Sequence, residues 1–272
     1  MPELPEVEIT RLGVEARFVE KRLTSIEIRQ PMLRWPVPDD IKQVQGQTLA
    51  SATRRSKYLL LNFHSGSVMV HLGMSGALRI VPTHSVWQKH EHIQWSFDDL
   101  AMRLHDPRRF GSVDFLPAGT LHAEHPRLGH LGVEPFSDAF TAEHLFQCSR
   151  GRKVSVKAFL LEGHAVVGVG NIYASESLFR AGIRPGRSAG RLTQTDCAAL
   201  TDVVKVVLLE AVEAGGSSLR DFAGIDGELG HFQNQTFVYD RQGLDCRVCQ
   251  TPVRRIVQNQ RSSFYCPKCQ KK

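Results

Sequence analysis

KYLLLNFHSGSVMVHLGM, residues 57–74, sets two runs rich in leucine, valine and methionine on either side of Ser65-Gly66. A small polar residue and a glycine between two such runs is a hairpin signal, because glycine adopts the turn conformations other residues resist. Residues 93–106, IQWSFDDLAMRLHD, repeat the arrangement around Asp98-Asp99, with apolar and polar side chains alternating. A period of two puts alternate side chains on opposite faces of a strand. The first ~120 residues therefore read as mainly β, a sandwich or flattened barrel.

Upstream lies PEVEITRLGVEARFVEKRL, residues 5–23. It reads as a helix, with Pro5 in the first turn and Glu6 and Glu8 near the positive end of the helix dipole. Ahead of it the chain opens MPELPEVE, with two prolines and three acids. An export leader needs a basic start and an apolar run of roughly 7–15 residues. Neither is present, so the opening is expected to belong to the folded body.

Downstream, HPRLGHLGVEPFSDAF (125–140) turns to glycine, proline and polar residues and reads as a linker. Beyond it the period becomes helical. In LTQTDCAALTDVVKVVLLEAVEAGG (192–216), positions 200, 203, 204, 207, 208 and 211 form one apolar stripe. Thr193 is the candidate N-cap, and Gly215-Gly216 stops the helix.

The chain has 272 residues, 42% of them hydrophobic, enough for one large domain or two ordinary ones. No apolar run approaches the ~20 residues of a membrane span, so a cytoplasmic protein without a membrane partner is expected. Net charge is +6. Residues 241–272 hold eight basic side chains against Asp245 alone, so the other 240 residues sum to about −1. A surplus gathered in one tail suggests a polyanionic partner.

Of six cysteines, Cys148 and Cys197 are isolated. The others read Cys246-x2-Cys249, sixteen residues, then Cys266-x2-Cys269. Two close pairs at that separation can converge as four thiolates on one tetrahedral zinc ion. The alternative, two disulfides, needs an oxidising compartment that nothing in the sequence indicates. Four thiolates close the coordination shell, so the metal is expected to be structural.

GVGNIYA (168–174) imitates the start of a dinucleotide fingerprint, but no βαβ alternation surrounds it. No nucleotide cofactor is expected. Glycines ahead of a helix still offer free N–H groups to a phosphate, such as one of a DNA backbone, with Asn171 adding a side-chain donor. HLGMSG (71–76) and DPRRFG (106–111) place Met74, Arg108 and Phe110 on glycine-flanked tips. Such tips either fold back on the core or insert into a partner. Apolar wedges and arginine pushed into a duplex can kink it and fill the gap left by an extruded base.

PELPEVE, RRSKYLLL, HLGMSG, DPRRFG, VVGVGNIYASESLF and the four-cysteine tail, in this order, resemble formamidopyrimidine-DNA glycosylase, a bacterial enzyme that excises oxidised purines. The resemblance covers essentially the whole chain. It implies an α+β protein: an N-terminal β-sandwich catalytic domain (1–130), a helical domain with a helix-two-turn-helix (131–237) and a four-cysteine zinc finger (238–272), with DNA in the cleft between. The implied partner is damaged double-stranded DNA, bound by a monomer, in the cytoplasm and at the nucleoid.

The resemblance also gives MPELPEVE a purpose. Loss of Met1, usual before a small residue, would leave Pro2 with a free amine. An α-amine has pKa ~7.7–8.0 against ~10.4 for lysine, so near neutral pH it is on the order of a few hundredfold richer in the nucleophilic form. Attack on the sugar C1′ displaces the base and leaves an iminium, the electron sink that Schiff-base lysines also supply. By resemblance Pro2 is the nucleophile, Glu3 protonates the opening sugar, Lys57 serves acid–base chemistry in elimination and Arg261 assists the second elimination. Glu6 has no assigned role. Met74, Arg108 and Phe110 match the residues that fill the void beneath the flipped nucleotide. Phosphate and DNA contacts map onto His71, His90, Arg152, Asn171 and Arg261, and Lys157 matches a lysine near the lesion. This chain has Ala158 where many relatives have proline. FAGIDGELGHF (222–232) corresponds to the segment that caps the flipped base and matches least well.

The implied activity is excision of 8-oxoguanine and formamidopyrimidines followed by β,δ-elimination. One alternative is the sister branch acting on oxidised pyrimidines, endonuclease VIII, which usually has glycine where this chain has Leu4. Another is a non-catalytic zinc-containing DNA-binding protein, for which Pro2, Glu3 and Lys57 together would be superfluous.

Overall fold

The computed structural model describes residues 2–217, 225 and 230–271. Helix α1 (Leu4–Phe18) is followed by eight strands: β1 (Ser25–Ile28), β2 (Ser51–Arg55), β3 (Tyr58–Phe63), β4 (Gly66–His71), β5 (Ala77–Pro82), β6 (Glu91–Phe97), β7 (Leu100–His105) and β8 (Ser112–Pro117). They form two antiparallel four-stranded sheets, ordered β2-β3-β4-β8 and β1-β6-β7-β5. Leu59, Leu61, Val68 and Val70 of one sheet share a buried cluster with Ile93, Trp95, Met102 and Leu104 of the other. The sheets thus face each other as a sandwich, and Val7, Val14 and Phe18 of α1 join the same core.

Both expected hairpins form. The first turn falls at His64-Ser65, one residue earlier than the sequence suggests, because Phe63 pairs with Gly66. The second is Asp98-Asp99, with Asp98 at φ 53°. All seven residues of β6 are buried, although the sequence alternates. The cause is Arg103, itself 1% exposed, which binds Glu91 at 2.9 Å, Gln94 at 2.6 Å and the Ser85 carbonyl at 2.7 Å. These bonds lay the segment before β6 over the polar face of the sheet.

Further along come α2 (Ala142–Ser149), α3 (Val156–Leu161), α4 (Asn171–Arg180) and α5 (Gln194–Glu213), then a two-stranded hairpin, β9 (Arg254–Gln258) and β10 (Arg261–Tyr265). Thr193 caps α5: its hydroxyl accepts from the Asp196 N–H at 3.1 Å, and the Asp196 carboxylate accepts from the Thr193 N–H at 2.9 Å. Leu200, Val204, Val207, Leu208 and Ala211 are buried, and Val203 is half-buried. Ser155 caps α3 by accepting from the Ala158 N–H at 3.3 Å, a donor that proline would lack. No described helix is long and apolar enough to cross a membrane. The chain divides into two compact units, one of Met1–Gly129 with Val212–Gln233, the other of His130–Ala211 with Asn234–Lys272.

Candidate active site and metal centre

In the first unit, register gathers the candidate residues at one end of the sandwich. Tyr58 at the start of β3 pairs with His71 at the end of β4, which pairs with Ser112 at the start of β8. In the other sheet Ala77, His105 and Glu91 lie level in the same way. Two of the three connections that cross between sheets, 72–76 and 106–111, therefore leave from the same end. Lys57 sits there too, in the two-residue turn between β2 and β3, beside Ser56 at φ 55°.

Helix α1 brings its first turn to this end. Glu8 binds Arg54 at 2.9 Å, and Arg11 reaches the Ala52 carbonyl at 3.2 Å. The helix thus runs antiparallel to β2 and points its N-terminus at the Lys57 turn. Pro2 and Glu3 are buried. Glu3 and Glu6 form a capping box, in which the Glu6 carboxylate accepts from the Glu3 N–H at 2.7 Å. The other Glu6 oxygen accepts from the Ser217 N–H at 2.9 Å. Two backbone amides thus hold Glu6, and through it the start of the chain is fixed.

The loop tips lie against each other. Gly73 has φ +66°, and a Cβ on it would fall 2.4 Å from the Gly111 nitrogen, so only glycine permits the approach. Beyond that contact Met74 is 43% and Phe110 42% exposed. The Arg108 guanidinium lies 4.6 Å from the Phe110 ring centroid. His90, at φ 70°, has its ring 6.1 Å from that of His105.

His71 Nδ1 accepts from the Gly73 N–H at 3.0 Å. Burial, then the nearby charges of Lys57, Arg34 and Arg127, bring its pKa down to about 4. The ring is therefore neutral near pH 7, and with Nδ1 accepting, its proton is on Nε2. Most of the segment 222–232 lies outside the described residues. Of it, Ile225 packs in the sandwich core and Phe232 is buried.

In the second unit, Cys246, Cys249, Cys266 and Cys269 bring four sulfurs within 4.8 Å of one another. A tetrahedral ion with ~2.3 Å bonds needs sulfurs about 3.8 Å apart. Cys246–Cys269 is 3.9 Å and Cys249–Cys266 is 3.4 Å. Hydrogen bonds from Thr251 pull Cys249 down to about 6, whereas burial and then the neighbouring thiols push Cys269 up. The donor set fits one structural zinc ion, which would hold all four as thiolates.

Arg261 begins β10 on an exposed two-residue turn, with Asn259 at φ 48° and Gln260 at φ 60°. Lys157 is 1% exposed, and its ammonium donates to the Ser262 carbonyl at 2.8 Å and the Ser263 hydroxyl at 3.0 Å. It reaches the hairpin from beneath rather than facing solvent. Asn171 opens α4 after Gly170, and its buried side-chain oxygen has no hydrogen-bond partner among the described residues. Arg152 pairs with Glu162.

Glu176 escaped the sequence reading. Fully buried in α4, it accepts from the N–H groups of Phe237 at 2.8 Å, Val238 at 3.0 Å and Tyr239 at 2.8 Å. The available signal was an acid inside the otherwise uncharged run IYASESLF.

Residues 1–113 match the formamidopyrimidine-DNA glycosylase N-terminal domain, 131–223 its H2TH domain and 243–272 the zinc finger found in FPG and IleRS. The formamidopyrimidine-DNA glycosylase of Paraburkholderia phytofirmans is 53% identical over 277 residues, with both chains fully covered. That of Thioalkalivibrio sulfidiphilus is 51% identical at the same coverage. Among solved structures, a mutant of Lactococcus lactis FPG in complex with a Fapy-dG-containing DNA superposes with TM-score 0.93 at 30% identity, over 100% of each chain. MutM (FPG) of Thermus thermophilus gives 0.90 at 37% identity, covering 99% of this chain and 98% of that one. This chain belongs to the formamidopyrimidine-DNA glycosylase family.

Proposed function

We propose that the protein is a bifunctional DNA glycosylase and AP lyase of base excision repair, acting as a monomer in the cytoplasm on 8-oxoguanine and formamidopyrimidines in duplex DNA. One observation carries the reading: the buried Pro2-Glu3 start, the Lys57 turn, His71 and the exposed Met74 and Phe110 belong to one end of one sandwich.

With Met1 removed, the Pro2 nitrogen lies just ahead of the positive end of α1. Burial and the dipole both disfavour an ammonium there, which favours the free amine. Its lone pair forms a bond to C1′ as the bond to the base breaks and the electron pair leaves with the base. The nitrogen's proton neutralises the departing base, and the lone pair so freed opens the C1′–O4′ bond as Glu3 gives O4′ its proton. The resulting iminium is a fixed cation, since a secondary amine has no N–H left to lose. It acidifies C2′–H, and removal of that proton expels the 3′ phosphate. Lys57 is suited to accept it, being in the turn toward which α1 points. Loss of the C4′ proton then expels the 5′ phosphate, a step to which Arg261 contributes.

His71, neutral with its proton on Nε2, is a donor for a backbone phosphate, joined by His90, Arg152, Asn171 and Arg261. Met74, Arg108 and Phe110 occupy the void left by the extruded nucleotide. The burial of Lys157 favours support of the Arg261 hairpin over direct contact with the lesion. Zinc has no chemical role and holds the hairpin. Gel analysis of a duplex with one 8-oxoguanine opposite cytosine tests the reading. A one-nucleotide gap with phosphate on both ends is expected, whereas an intact strand after piperidine-free incubation would refute it.

A further inference from the structure

Asp106 is fully buried and has no part in the chemistry above, yet it bonds to the segments that carry Met74, His90, Arg108 and Phe110. One carboxylate oxygen accepts from the Gly111 N–H at 2.7 Å, closing the loop that carries Arg108 and Phe110. The other accepts from the Ser75 hydroxyl at 3.5 Å, in the loop that carries Met74. Its backbone N–H donates to the His90 carbonyl at 2.9 Å, and its carbonyl receives His92 Nε2 at 2.8 Å. That carbonyl also accepts from the Arg109 N–H at 3.1 Å. Arg109 has φ 54°, a left-handed conformation that arginine adopts only when its surroundings impose it.

We propose that Asp106 is a positioning residue: its carboxylate clamps the 72–76 and 106–111 loops together, so that Met74, Arg108 and Phe110 are presented as one rigid wedge before DNA arrives. The proposal rests on the glycosylase reading. Two loops brought together only by a glycine contact could slide independently. A shared acceptor makes their positions one variable, and a misplacement of about 1 Å can cost on the order of a hundredfold in rate.

The test uses full-length zinc-loaded protein carrying Asp106→Ala, Asp106→Asn or Ser75→Ala. Single-turnover excision of 8-oxoguanine opposite cytosine is compared with borohydride trapping on a single-stranded oligonucleotide bearing an abasic site, where no void needs filling. Amide hydrogen exchange is followed in residues 72–76 and 106–111. Asp106→Ala should slow duplex excision about 10- to 100-fold, leave single-strand trapping within about threefold, and speed exchange in both loops. Asp106→Asn keeps an acceptor for the Gly111 N–H and should recover most of the rate. If the alanine variant does not fold, Ser75→Ala must still speed exchange in 72–76 and slow only duplex excision. Equal losses on both substrates, or unaltered exchange, would overturn the clamp. A wild-type protein inert on both DNAs would sink the glycosylase reading, while exchange would still decide the clamp.

Discussion

Glu176→Ala should destabilise the zinc-bearing unit more than any surface change, and the size of the effect can be worked from three distances. Its carboxylate accepts backbone N–H groups at 2.8, 3.0 and 2.8 Å from Phe237, Val238 and Tyr239. A buried donor left without a partner costs ~1–3 kcal/mol, so three give roughly 3–9 kcal/mol gross. Two effects offset this. Burial, the largest influence on Glu176, pushes its pKa up while the three N–H groups pull it back, so removing the carboxylate relieves a desolvation cost. Water entering the space vacated can also re-satisfy some donors. The expected net loss is ~2–4 kcal/mol, near the upper end for a single substitution. At ~2–4 °C per kcal/mol, the transition should fall by roughly 5–15 °C in scanning calorimetry of zinc-loaded protein. Glu176→Gln, with one oxygen left, should lose about half as much. The segment it holds leads into the finger, so zinc release to a chromogenic chelator should also quicken. A fall under ~2 °C for the alanine variant would show that the three bonds contribute nothing net, and would refute the reasoning.

Chelating the zinc should abolish duplex binding while far-UV circular dichroism of the β-sandwich persists; full affinity after chelation would show that the finger does not grip DNA. Phe110→Ala should slow excision from duplex DNA by about tenfold or more while changing stability little, because Phe110 is 42% exposed. Unaltered duplex kinetics would return Phe110 to a structural role.

How much was legible follows from how local each signal is. The four cysteines declare themselves by spacing, and the start of α5 by Thr193 just ahead of its apolar stripe, because those constraints close within a few residues. The hairpins were legible to within one residue at His64-Ser65. The burial of the polar face of β6 was not, because it depends on Arg103 recruiting Glu91 and carbonyls that lie 9 to 18 residues away in sequence. Lys157 reads as a DNA-facing cation until its bond to Ser262, 105 residues on, is known. Glu176 pairs across 61 to 63 residues, and nothing in single-sequence periodicity encodes such a partner. Asp106 stood in the quoted DPRRFG, but its carboxylate reads as a turn residue until the neighbouring loop is placed against it.

The central claim is that a freed Pro2 amine performs the chemistry. Its most direct test is borohydride trapping on duplex DNA with one 8-oxoguanine opposite cytosine, using protein checked by mass for loss of Met1. A covalent adduct is expected, mapped by peptide mass to residue 2 and absent in Pro2→Gly protein that still binds the duplex. An adduct mapped to a lysine, or none from processed protein on this DNA, would contradict it.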